Sequence, residues 1–259
     1  MIRAWLDLSA PGIFAVLITL YFGIVLLLTL VVFHSPLKRP LQSLNGVVAP
    51  FFSSIAILFA LLTGFLANDV SDRNRQAVRA VQTEAAELHN LYTLSVASVS
   101  DMSAIRAKWE TYVNSVVTRE WPAMSDNHLS PQTYTAYDDL LKEVSNPSIA
   151  KSSGQAVHAA LLNTGVRIGT ARSDRLALAS DTTNDLKWIV VIVLGVFTQI
   201  GIALVHLDRL RAFIAALVVF SSAAIVALGF IAMQEYPFYG PLQISVAPIA
   251  AQMSLVEQQ

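Results

Sequence analysis

The chain reads as an all-α, polytopic membrane protein with four transmembrane helices and a helical domain inserted between the second and the third. Three observations predict this. Hydrophobic residues make up 54% of the 259 and charged residues only 14%, with a mean hydropathy of +0.56, too apolar a balance for an ordinary soluble domain. Four stretches free of Asp, Glu, Lys and Arg each reach the roughly 20 residues that cross a bilayer as a helix. Between the second and third stretches charge returns on a spacing of threes and fours, the period of packed helices rather than the alternation of strands.

The first uncharged run lies between Asp7 and Lys38 and carries the apolar segment Ile13 to Phe33. Arg3 before an apolar stretch also fits a signal peptide, but a cleavable apolar region runs only about 7–15 residues and no A-x-A site follows. Pro36, Pro40 and Gly46 punctuate the short loop after it. The second run lies between Arg39 and Asp69, and the third and fourth are Trp188 to Leu207 and Ala212 to Gln234. Residues 1–67 therefore form a first hairpin, 68–187 a helical extramembrane domain, 188–234 a second hairpin and 235–259 an interfacial tail. Both termini lie on the side of the domain.

Within the domain, Val78, Val81, Ala85, Leu88 and Tyr92 step by threes and fours, as do Met102, Ile105, Trp109, Tyr112 and Val116. Pro122 is expected to close the second of these helices. A third helix starts near Ser130-Pro131, with Tyr134, Tyr137, Leu140, Leu141 and Val144 apolar, and Asn146-Pro147 breaks it. A last helix from Pro147 presents Val157, Leu161, Val166, Ile168 and Leu176. The domain holds twelve basic against fourteen acidic residues, a net of −2 and a mixed solvated surface. In the tail, Tyr236, Phe238 and Tyr239 stand where an aromatic belt meets water. Ile244, Val246, Ile249, Met253 and Val256 offer an apolar side that either lies along the interface or covers the domain.

Basic residues give two signals about orientation. Lys38, Arg39, Arg209 and Arg211 mark the short loops, whereas Arg3, Arg73, Arg75, Arg79, Arg172, Arg175 and Lys187 lie on the domain side near a span. Seven against four leans the domain and both termini toward the cytoplasm of a bacterial inner membrane.

Several function classes are excluded or left without support. A net charge of −1 with no basic cluster argues against nucleic acid as a partner. With no cysteine there is no disulfide, thiolate nucleophile or thiolate metal site. His34, His89, His128, His158 and His206 are scattered without metal-ligand spacing, so no metal is expected. Nucleotide-binding and nucleophile-elbow motifs are missing, no cofactor is expected, and the chain is not read as an enzyme. Glu84 with Glu87 and Asp138 with Asp139 are paired carboxylates, read as solvated on exposed helices. The spans carry only mild polar groups, Ser53, Ser54, Thr63, Gln199, Ser221 and Ser222, which disfavours a proton-coupled carrier. These groups are read as interhelical hydrogen bonds, with Gly195, Gly201 and Ala223-Ala224 allowing close approach.

One site remains. Ile57, Leu61 and Phe65 are spaced four apart, so at about 100° per residue they drift about 40° per step and form one apolar stripe. Around an axis of several subunits that stripe makes a hydrophobic neck that gates by dewetting; otherwise it faces lipid or a neighbouring helix. Asn68, Asp69, Asp72 and Arg73 follow as the pore mouth.

The pattern Ile57-x-x-x-Leu61-x-x-Gly64-Phe65 with Arg73 eight residues on resembles the pore-lining second helix of bestrophin anion channels, with Leu61 where an aromatic is expected. Glu84-Ala85, Leu91-Tyr92, Glu120-Trp121-Pro122, Ala171-Arg172, Arg175-Leu176, Pro237-Phe238-x-Gly240 and Ile244-Ser245 extend the resemblance, from about Phe51 to Pro248, to a bacterial bestrophin-like family (DUF4239). The resemblance implies a homo-oligomer, a pentamer, with four spans per subunit, the second helices around the axis and a cytoplasmic helical conduit for inorganic ions. Two features of the relatives have no counterpart: the acidic calcium clasp after Phe238, and the tryptophans after the family Arg, replaced by Asn74 and Arg75. Ion sign stays open, since Asp69 or Asp72 would attract cations and Arg73, Arg75 or Arg79 anions. The alternative is a structural or accessory subunit of a larger membrane complex without transport activity. A third reading, a sensor with a helical bundle between spans, is disfavoured because no output domain follows Gln234.

Overall fold

The computed structural model describes residues 2–36, 40, 49–125, 130–240 and 242–257. Every regular element among them is helical. Lys38, Arg39, Gly46 and His128, named above, lie outside the described residues.

A short helix α1 (Ile2–Leu6) precedes α2 (Ala10–Thr29), which ends in a π-helical turn, Leu30–His34. The 49-residue α3 (Ala49–Ala97) follows. Next come α4 (Ser103–Ser115), a π turn at Val116–Glu120, α5 (Trp121–Ser125), α6 (Pro131–Val144), α7 (Pro147–Ser153) and α8 (Gln155–Ser180). The chain then forms α9 (Asp185–Val205) and α10 (Leu210–Met233), and closes with α11 (Ala247–Ala250), a 3-10 turn and α12 (Ser254–Glu257). Among the described residues four helices, α2, α3, α9 and α10, are long and apolar enough to cross a membrane.

Two compact units result. The first comprises Met1–Asp72, Thr182–Glu235 and Gly240–Leu242, and the second Arg73–Asp181, Tyr236–Tyr239 and Gln243–Gln259. In the first, α2 turns a seam of Ile13, Leu17, Tyr21 and Val25 inward, and the edge of Trp5 meets the Trp188 ring at 5.4 Å. Two of the mild polar groups bond between helices, where Gln199 Nε2 donates to Ser221 Oγ at 2.8 Å and to the Tyr21 carbonyl at 3.0 Å, whereas Thr63 Oγ1 is buried without a partner among the described residues. A Cβ at Gly195 would fall inside contact distance of the Tyr21 hydroxyl, so α2 and α9 approach as closely as they do because that position is glycine. Glu235, buried at the end of this unit, accepts from the Thr183 backbone N–H and from Trp188 Nε1.

In the second unit the packed seams differ from expectation at particular residues. Val81, Ala85, Leu88 and Tyr92 are buried, but Val78 is exposed and Ala77 takes the inner position. On α6 the inward residues are Thr133, Ala136, Leu140 and Val144, while Tyr134 is exposed and its ring lies under the Arg172 guanidinium at 5.5 Å. Val166 is exposed too. Pro122 does not close the second helix, because the π turn before it spares the missing N–H and the proline falls in the first turn of α5. The last helix breaks instead at Gly154, whose φ of +89° is a conformation favouring glycine. Trp109 Nε1 donates to the Leu88 carbonyl at 2.9 Å, tying α4 to α3.

Of the tail aromatics, Tyr236 and Phe238 are buried against protein and Tyr239 is half-buried. Phe238 meets Trp121 edge-on at 5.6 Å and Tyr236 stacks on Tyr239 at 4.2 Å. The apolar tail residues follow them: Ile249 is fully buried in the core of the second unit, and Tyr92 donates its hydroxyl to the Leu255 carbonyl.

Candidate functional site

Helix α3 has two faces of opposite character. One is a buried seam, Leu66, Val70, Arg73, Ala77, Val81 and Glu84, followed by Leu88 and Leu91. The other is exposed, and at its start stand Ile57, Leu61 and Phe65 at 65%, 50% and 57% exposure. These three border a shallow notch of about 550 Å³ with Ala60 and Gly64. Phe65 also lines an apolar cleft of about 360 Å³ with Leu62, Leu186 and Val190. The chain's own first unit thus leaves at least half of each of the three exposed, and the side chains that would form the neck are available to lipid or to another subunit.

The four residues expected at the mouth have different surroundings. Asn68 Nδ2 donates to Asp72 Oδ2 at 2.8 Å. Asp69 accepts from Lys187 Nζ at 2.5 Å. Arg73 is buried, with Nε 3.7 Å from an Asp181 carboxylate oxygen. The arrangement brings Asn68 and Asp72 together and ties Asp69 and Arg73 to partners of the same chain.

Behind α3 lies a cluster that residue type alone conceals. Glu84 and Glu120 are fully buried, as is Arg175, and Arg172 is nearly so. Arg175 donates Nε to Glu84 Oε2 at 2.6 Å, Nη2 to Glu84 Oε1 at 3.1 Å and to Glu120 Oε1 at 2.7 Å, and Nη1 to Met124 Sδ at 2.9 Å. Arg172 Nε donates to Glu120 Oε2 at 3.0 Å, and the Tyr112 hydroxyl to Glu84 Oε1 at 2.7 Å. Two carboxylates and two guanidiniums leave the cluster neutral, which is what makes its burial sustainable.

The electrostatics follow from that packing. For Arg175 burial disfavours the charged form, but the charges and hydrogen bonds of Glu84 and Glu120 outweigh it and raise its pKa. Burial first, and the Glu84 charge second, push the Tyr112 phenol well above its ordinary range. Glu84 is therefore not a solvated partner of Glu87, since Glu84 faces the core while Glu87 meets Arg167 at 3.5 Å near the surface. Of the other carboxylate pair, Asp139 accepts from Lys108 at 2.9 Å on the surface, and that hydrogen bond lowers its pKa. A signal for the cluster was present in the period. Glu84 stands between Val81 and Leu88, Glu120 follows Tyr112 and Val116 by fours, and Arg172 and Arg175 continue the seam of Leu161 and Ile168.

No group of three or more His, Cys, Asp or Glu that could hold a metal occurs among the described residues. The first unit has an uncovered apolar stripe on a transmembrane helix, and the second has a neutral, buried ionic cluster. With four helices long and apolar enough to cross a membrane among the described residues, these features define an integral membrane protein. The chain belongs to the bestrophin-like family, matching the Bestrophin-like domain over residues 19–249. Solved structures of a bacterial bestrophin homologue from Klebsiella pneumoniae share its fold. One point variant has a TM-score of 0.72 at 14% identity, covering 97% of each chain. Another has a TM-score of 0.69 at 13% identity, covering 92% of this chain and 96% of that one, and a third structure, solved by zinc phasing, has 0.67 at 13% over the same shares. No curated protein matches by sequence.

Proposed function

We propose that the chain forms a homo-oligomeric ion channel of the bacterial inner membrane, a pentamer by its family resemblance, with the helical unit on the cytoplasmic side. Ile57, Leu61 and Phe65 form the neck, and Asn68, Asp69, Asp72 and Arg73 surround the mouth. The observation that carries this reading is the uncovered apolar stripe: Ile57, Leu61 and Phe65 are 65%, 50% and 57% exposed on a span that the chain's own residues leave largely uncovered, and the buried seam of α3 begins only at Leu66. Gathered around an axis, such stripes form a constriction that water leaves readily, and ions then pass only when it widens or wets. Asp69 and Arg73 are held by Lys187 and Asp181, which supports a positioning role for them.

Reconstitution into liposomes with an ion-flux readout tests the proposal. The wild type conducts, and Leu61→Ala, which trims the neck without touching the buried seam, raises the flux. Absence of flux in both proteins across varied salts overturns the channel reading.

A further inference from the structure

The first unit carries an apolar cleft of about 360 Å³ between α3 and α9. Leu66 and Val191 form its buried floor, and Phe65, Leu186 and Val190 stand exposed at its rim. A charged pair closes one end, with Asp69 and Lys187 2.5 Å apart and 41% and 57% exposed. Asp69 ends the uncharged run of α3, and Lys187 immediately precedes that of α9. The pair therefore stands where hydrocarbon gives way to headgroups, and the cleft runs from it into the apolar layer. From Asp69 back to Leu62, the farthest lining residue on α3, the helix rises about 10 Å, against about 15 Å for one leaflet of the hydrocarbon core.

We propose that this cleft binds a glycerophospholipid whose headgroup carries a primary ammonium. One acyl chain lies between α3 and α9, the phosphate sits at Lys187, and the ammonium donates to Asp69. Charge complementarity selects this occupant. Asp69 and Lys187 cancel, as do Arg3 and Asp185 at 3.5 Å two residues earlier on α9, so the rim holds no surplus positive charge to favour an anionic headgroup. A zwitterion instead gives each member of the pair an opposite charge. A quaternary ammonium lacks the N–H that Asp69 would accept, so a choline headgroup fits less well. Covering the cleft with a second protein chain would strip water from an ion pair, which is costly, whereas headgroups leave that pair hydrated. The cleft is also distinct from the neck: Leu62 and Leu66 lie about +60° and +100° around α3 from Phe65, while Leu61 and Ile57 lie about −40° and −80°. The proposal goes beyond the channel reading and stands without it.

Native mass spectrometry of the detergent-purified full chain tests this, with palmitoyl-oleoyl lipids bearing ethanolamine, choline or glycerol headgroups as probes. The wild type retains the ethanolamine lipid roughly tenfold more tightly than either of the others, as one added charge-assisted hydrogen bond at a wet interface allows. Asp69→Asn erases the preference of ethanolamine over choline, and Lys187→Gln weakens retention of the ethanolamine lipid. Exchanging the two charges, Asp69→Lys with Lys187→Asp, keeps the preference. Val190→Trp fills the cleft and cuts retention of all three lipids, and an unchanged helical circular dichroism spectrum separates these losses from misfolding. Equal retention of the three headgroups by the wild type, or a preference that survives Asp69→Asn, overturns the assignment. If Val190→Trp breaks the assembly apart and leaves lipid retention unmoved, a second copy of the chain fills the cleft and the proposal falls.

Discussion

A fully buried guanidinium is tolerable only when its donors are taken, and Arg175 has Glu84, Glu120 and Met124 around it and the Trp121 ring 5.5 Å away. Replacing Arg175 by Met leaves two buried carboxylates sharing one remaining arginine. Breaking a buried pair in this way costs about 3–5 kcal/mol, so Arg175→Met is expected to lower the unfolding midpoint of the purified protein sharply. Adding Glu84→Leu restores neutrality, with Arg172 and Glu120 still paired, and should recover part of the loss. A double variant no better than the single one would show that charge balance is not what the cluster supplies. The Tyr112 hydroxyl loses its acceptor in that double variant, which sets the limit of the recovery.

At the scale of elements, close helix packing yields a second prediction. Gly195→Ala places a methyl group against the buried Tyr21 hydroxyl, and Tyr21 has no exposed surface to retreat to. Overpacking of this kind costs typically 1–3 kcal/mol. Tyr21→Phe removes the nearest atom, and since that hydroxyl has no hydrogen-bond partner among the described residues the change alone should be tolerated; combined with Gly195→Ala it should restore part of the thermal stability. The four spans and the all-helical domain were legible because apolar length and a period of threes and fours are written directly in the chain. Val78 against Ala77, and Tyr134 against Thr133, were not, since small and hydroxylated residues carry little hydropathic contrast and the packing of neighbouring helices chooses between adjacent positions. The candidate neck was legible as a stripe, but not its exposure, which depends on what the other three spans cover. The buried cluster was hidden by residue type: a scale that places Glu and Arg in water overrides the period that places Glu84, Glu120, Arg172 and Arg175 inside.

For the whole molecule, an uncovered stripe on a transmembrane rod calls for neighbours of the same kind. Detergent-solubilised particles viewed along the membrane normal should show closed rotational symmetry, five-fold by family resemblance, with density absent on the axis. A single subunit per particle, or a fixed stoichiometry with a foreign complex, would instead favour an accessory role. The unbroken α3 has a further consequence for how such chains can change length. One residue inserted between Phe65 and Arg79 turns everything beyond it by about 100°, whereas seven or eleven turn it by only about 20°. Because the buried seam and the exposed face of α3 share one helical phase, insertions or deletions in this stretch keep that phase only as whole helical repeats. The loops of the chain are under no such restriction.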